Sequence, residues 1–188
     1  MKIIVASGNA HKMQEISEML EGFELVSMRE AGFDGDIEEN GSTFKENAYI
    51  KAKFIAEKFN LPALADDSGL CVDALGGAPG VYSARYSGGG DRENRKLLLK
   101  NLENAKSRTA RFKSVICVYF PDGKTVYGEG ACEGNILFED TGNGGFGYDP
   151  IFFSNDLQKS FGQATAEEKN SVSHRFRALE DLKKKLKF

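Results

Sequence analysis

Apolar positions along the chain alternate between short β-branched runs and stretches of helical spacing. Ile3–Ala6 is a compact apolar run and predicts a buried strand, ended by Ser7-Gly8-Asn9. Met13, Ile16, Met19 and Leu20 then recur at helical spacing. Phe23–Met28 predicts a second strand, followed by an acidic loop through Asp34, Asp36, Glu38 and Glu39. Thr43 and Glu46 form a capping box that opens a helix burying Phe44, Ala48, Ala52, Ile55 and Phe59. Pro62–Ala65 reads as a short strand ending in Asp66-Asp67-Ser68-Gly69.

Gly76 to Gly90 is glycine-rich and too irregular for any element. A helix from about Asp91 carries Leu97, Leu98 and Leu102. Thr109–Phe120 and Lys124–Glu133, joined by Pro121-Asp122-Gly123, predict a hairpin and so an antiparallel pair. Ile151–Phe153 adds a strand. The end reads as helical, with a second capping box at Thr165 and Glu168 and an apolar stripe of Phe176, Leu179, Leu182 and Leu186. No repeat and no Pro- or Ser-rich linker divides residues 1–188, so one domain is expected. Strands mixed with helices, one hairpin among them, predict an α/β fold with a mixed sheet flanked by helices.

Charge narrows the partners. Lys+Arg number 25 against Asp+Glu 28, a net charge of −3, so nothing global draws the chain to nucleic acid or to an anionic membrane. The longest apolar runs, Ile3–Ala6 and Val115–Phe120, fall far short of the ~20 residues a membrane-spanning helix needs. The apolar opening is also too short for a secretory signal. Cys71, Cys117 and Cys132 are odd in number and lack CxxC spacing. They read as reduced thiols, and the expected compartment is the cytoplasm.

Four segments carry candidate chemistry. Ser7-Gly8-Asn9-Ala10-His11-Lys12 joins a strand to a helix, where amides, the helix dipole and Lys12 could hold a phosphate. The other reading is an ordinary turn with Asn9 as its cap. Gly142 to Gly147 matches G-x-G-x-x-G, but Asp149-Pro150 and a β-rich run follow, which rules out a dinucleotide site. A base could still approach this loop through Phe146 and Tyr148, or the loop is plainly flexible. Asp66 and Asp67, adjacent on extended chain, point to opposite sides. One could face an open site while backbone donors or a cation hold the other, unless Asp67 merely caps the turn at Ser68-Gly69. With Glu38-Glu39 nearby, few and hard oxygen ligands suit Mg²⁺ completed by substrate phosphates. Lys169 and His174-Arg175 could close over an anion or a base edge, or form a solvated face with His174 as a cap. No Ser-His-Asp set or Cys/His metal cluster is present, and there are 2 histidines. Cations, a carboxylate or two and glycine-rich loops suit phosphoryl chemistry, where positioning and charge neutralisation dominate.

Five blocks in order carry a resemblance: Ser7-Gly8-Asn9-x-x-Lys12, Ala65–Leu70, Gly76–Arg85, Gly145–Pro150 and Ser173-His174-Arg175. Together they resemble the non-canonical purine nucleoside triphosphate pyrophosphatases, the inosine/xanthosine triphosphatases. The resemblance implies an elongated α/β fold of two lobes with a central substrate cleft, usually a homodimer. It also implies Mg²⁺-dependent hydrolysis of ITP, dITP and XTP to monophosphate and pyrophosphate, before a polymerase can use them. By that likeness Asp67 is the proton acceptor. Glu38, three residues before Gly41, and Asp67 form the Mg²⁺ side. Ser7, Gly8, Asn9, Ala10, His11, Lys12 and Lys51 match triphosphate positions. Ser68, Phe146, Gly147, Tyr148, Asp149, Lys169, His174 and Arg175 match the remaining substrate positions. A pyrophosphatase for other modified nucleotides on a related fold is expected to lack the Ser173-His174-Arg175 block. A non-catalytic nucleotide sensor could dispense with Asp67.

Overall fold

The computed structural model describes residues 1–20 and 22–186. In chain order its elements are β1 (Lys2–Val5), α1 (Ala10–Met19), β2 (Glu24–Ser27), α2 (Phe44–Phe59), β3 (Ala63–Val72) and α3 (Asp91–Asn101). These are followed by β4 (Thr109–Tyr119), β5 (Thr125–Ile136), β6 (Phe152–Ser154), β7 (Lys159–Ser160), α4 (Ala166–Val172) and α5 (His174–Lys185). The strands form a 7-stranded sheet in the order β2-β1-β3-β4-β5-β6-β7. It is mixed: β1 runs parallel to β2 and β3, whereas β6 is antiparallel to β5 and β7. No helix of the described residues is long and apolar enough to cross a membrane.

The chain folds into two compact units. The first comprises Met1–Asp67, Ser114–Gly130 and the residues from Arg175 on. The second comprises Ser68–Lys113 and Ala131–His174. In the first unit the alternation of strand side chains separates two cores. Ile3, Val5, Leu64, Ile116 and Val118 join Ile16 and Leu20 of α1 and Ala178, Leu179 and Leu182 of α5. The interleaved residues Ile4, Ala63, Ala65, Val115 and Cys117 meet Ala48, Ala52, Ile55 and Ala56 of α2. In the second unit Leu98 and Leu102 pack with Phe112, Phe152, Phe161 and Tyr148.

Three elements differ from the sequence expectation. β3 does not stop at Ala65 but continues to Val72, carrying both aspartates in mid-strand. Ion pairs to buried cations let the strand continue where two charges suggested its end. The terminal helix is two helices, because Ser173 leaves helical geometry (ψ 156°) between α4 and α5. The glycine-rich stretch holds a short 3₁₀ segment, Gly80–Arg85, fixed by Ser83 Oγ between the Gly80 carbonyl and the Leu70 amide.

Candidate active site

In the first unit, β3 presents its neighbouring carboxylates to different partners. Asp66 is almost fully buried and accepts from Lys12 Nζ (2.7 Å), Ser114 Oγ (2.5 Å) and Arg175 Nη2 (3.2 Å). Arg175 Nη1 also donates to Glu15. Burial works against ionisation of Asp66, but Arg175 and Lys12 outweigh it and hold its pKa well below the usual carboxylate range. Burial pulls the Lys12 ammonium downward, and Asp66 offsets only part of that pull.

Asp67 lies against Lys51 instead. The Lys51 ammonium reaches from the buried face of α2 to Asp67 Oδ1 (3.3 Å), Glu39 Oε1 (2.5 Å) and the Asp66 carbonyl (3.0 Å). Burial lowers the Lys51 pKa, but Asp67 and Glu39 raise it further, so the ammonium stays charged. Burial pushes the Asp67 pKa up, with Lys51 opposing. Its second oxygen, Oδ2, is buried and has no hydrogen-bond partner among the described residues. This carboxylate is more basic than usual and keeps an oxygen available, as acceptance of a proton requires.

The residue beside Lys51 is Glu39, whereas Glu38 is exposed. The acidic loop therefore brings Glu39 to Lys51, next to the Glu38 that the resemblance implied for the metal. In the ion pairs of this cluster Lys12, Lys51 and Arg175 face Glu15, Glu39, Asp66 and Asp67, three positive charges against four negative.

The turn after β1 behaves as a capped helix start. Asn9 Oδ1 accepts the amides of His11 (3.0 Å) and Lys12 (3.1 Å), and Ser7 Oγ accepts that of Asn9 (3.2 Å). Three amides of this turn are thus satisfied internally. Ser7, Gly8, Asn9 and Ala10 line a cleft of about 460 Å³ whose other wall is Ser27, Met28, Arg29 and Asp34–Asp36.

In the second unit, Asp149 Oδ2 accepts from the Phe146 amide (2.9 Å) and from Lys169 Nζ (2.7 Å). The same ammonium stands 4.5 Å above the Phe146 ring. Gly145 adopts φ +72°, and a Cβ there would strike the Asp149 carboxylate. This position therefore needs glycine on both counts. Gly147 is held from both sides, its amide by Asp91 Oδ2 and its carbonyl by Arg95 Nη1 (each 2.8 Å). Tyr148 departs from the expected aromatic platform: its ring is in the core and its hydroxyl donates to the Ser83 carbonyl (2.8 Å). His174 is buried and stacks on Phe112, with centroids 4.8 Å apart. Ser68 is half-buried in β3.

The structure thus gathers Lys12, Lys51, Asp67 and Arg175 in one unit, and Phe146, Asp149 and Lys169 in the other. Sequence reasoning left Glu15, Ser114 and Phe112 unassigned. Ser114 lies 48 residues from Asp66, a pairing no local pattern discloses. Glu15, three residues after Lys12 on α1, carried a usable signal.

The model of the Ham1 family matches residues 3–185. A dITP/XTP pyrophosphatase of Clostridium perfringens is 48% identical over 99% of this chain and 97% of its own length. A Haemophilus influenzae protein of the same name is 45% identical over 98% of each. Among solved structures, the Staphylococcus aureus Ham1 protein superposes with TM-score 0.90 at 40% identity, over 99% of this chain and 98% of that one. A HAM1 protein from Coxiella burnetii gives TM-score 0.91 at 41% identity, with the same coverage. With its carboxylate–lysine centre and nearly the whole length matched, the chain belongs to the Ham1 family.

Proposed function

We propose that this chain hydrolyses dITP, ITP and XTP to the nucleoside monophosphate and pyrophosphate. The observation that carries this reading is Asp67: a buried carboxylate of raised pKa, with one oxygen on Lys51 and the other unpartnered. Asp67 takes a proton from the water that attacks the α-phosphorus. Lys12, Lys51 and Arg175, outnumbered by the carboxylates they face, offset the charge of the triphosphate together with a divalent cation. Phe146, Lys169 and His174 are assigned to the purine end, where a donor facing the 6-keto oxygen favours hypoxanthine and xanthine. A donor left facing the amino group of adenine costs ~1–3 kcal/mol.

Glu39 and Asp67 are the carboxylates proposed to hold a divalent cation, in this reading Mg²⁺. Among the described residues no group of three or more potential ligands assembles. A two-carboxylate set completed by water and phosphate oxygens is what Mg²⁺ accepts. The unpartnered Asp67 oxygen and the surplus negative charge of the cluster both fit a cation there. When bound it supplies positive charge against the phosphates.

The test is product analysis after incubation with ITP, XTP, GTP and ATP in Mg²⁺. IMP or XMP with pyrophosphate, and little from GTP or ATP, is expected. Diphosphate with orthophosphate means attack at the γ-phosphorus and refutes the scheme. A cytoplasmic homodimer completes the proposal, and light scattering at the 20.6 kDa chain mass rather than twice that value would remove the dimer.

A further inference from the structure

We propose that Asn47 is a positioning residue of the catalytic centre. It fastens the acidic loop to α2 so that Glu39 reaches Lys51 and Asp67, and thereby sets the affinity for the divalent cation. The inference rests on the reading of Glu39 and Asp67 as the cation-holding pair.

The buried face of α2 is Asn47, Ala48, Lys51, Ala52, Ile55 and Ala56. Its two polar members stand one turn apart, where side chains lie ~5–6 Å from each other on the same side. Lys51 engages Glu39 directly. Asn47 Oδ1 accepts the Gly41 amide at 2.8 Å, two residues further along the same loop. Residues 36 to 41 contain no helix or strand, so side-chain anchors hold this part of the chain. Ser42 and Thr43 are tied to Glu46 by the capping box, and the Asn47 bond extends that hold one residue nearer to Glu39.

Two further observations set Asn47 apart from packing. It is fully buried, yet its Nδ2 has no hydrogen-bond partner among the described residues. A buried unpaired donor carries a desolvation cost that an apolar side chain on this alanine-rich face avoids. Gly41 is shaped for the contact: a Cβ there would lie 2.7 Å from Asn47 Oδ1 and 2.7 Å from Glu46 Cβ. Only glycine lets its amide approach so closely. Outer residues that orient a metal ligand typically govern ~10–100-fold in metal affinity.

The experiment titrates Mn²⁺ alone, without nucleotide, into the whole protein and its variants, following free Mn²⁺ by electron paramagnetic resonance. Glu39→Gln and Asn47→Ala are each expected to weaken binding ~10-fold or more. The double variant is expected to bind no more weakly than Glu39→Gln alone, because Asn47 acts through Glu39. Gly41→Ala keeps the Asn47 side chain, so it carries the same prediction if Asn47→Ala does not fold. Wild-type Mn²⁺ affinity in Asn47→Ala or Gly41→Ala, or an additive loss in the double variant, overturns the inference. Unchanged affinity in Glu39→Gln removes the cation reading beneath it, and the inference with it.

Discussion

In the proposed function, Asp67 and Lys51 are the residues on which chemistry most directly depends. Asp67→Asn keeps the shape of the side chain but removes the proton acceptor. Loss of a general base costs ~10²–10⁴-fold, so kcat on ITP is expected to fall by about that factor with an unchanged circular-dichroism spectrum. Asp67 was singled out by a local motif, whereas Lys51 came only from the resemblance; the structure brings the two within 3.3 Å of each other. Which of Glu38 and Glu39 turns inward was not legible, since either side of an extended pair can do so; the structure turns Glu39 toward Lys51. A different buried group contributes to the alkaline dependence of stability. Burial pushes the Cys117 thiol up to about 12 from its ordinary 9.0, although Tyr127 and Lys45 pull the other way. The unfolded chain ionises this thiol first. Its contribution to stability is therefore whole below pH 9 and drains as pH climbs toward about 12. The melting temperature should fall across that window, and less steeply in Cys117→Ala.

Among elements, β3 shows what pattern reading lacks. A strand that places two carboxylates in its middle contradicts every local preference, and the hydrophobic pattern accordingly ended it at Ala65. Lys12 from α1, Arg175 from α5 and Ser114 from β4 make the strand possible, and all three are remote in sequence. The hairpin turn and both capping boxes were legible, by contrast, because each is decided within a few residues. Asp66→Asn should expose the dependence. It leaves the buried Arg175 and the half-buried Lys12 beside a neutral amide, and removing one partner of a buried pair costs ~3–5 kcal/mol. Urea unfolding should show a loss of that order, and a loss below ~1 kcal/mol would mean that water already screens the cluster.

For the molecule as a whole, the fold class was readable because strands and helices alternate in the pattern. The division into two compact units was not in the hydrophobic pattern, since each unit is assembled from separated stretches of chain, and came only from the resemblance, which implies two lobes. The proposed function makes binding, and not only turnover, depend on the cation. Calorimetry with ITP in excess chelator should show affinity at least ~10-fold weaker than with Ca²⁺, a hard cation of like ligand preference. Equal affinity in both would show that the lysines and Arg175 suffice.

The surplus negative charge in the first unit has a consequence for life in a crowded solution of small anions. In the proposed reading, orthophosphate, sulfate and organic acids that arrive without a metal meet a buried cluster in which carboxylates outnumber cations by one, and are held the less for it. Under that reading a triphosphate that enters in company with its counter-ion brings the positive charge the cluster lacks, and the idle centre is kept for it.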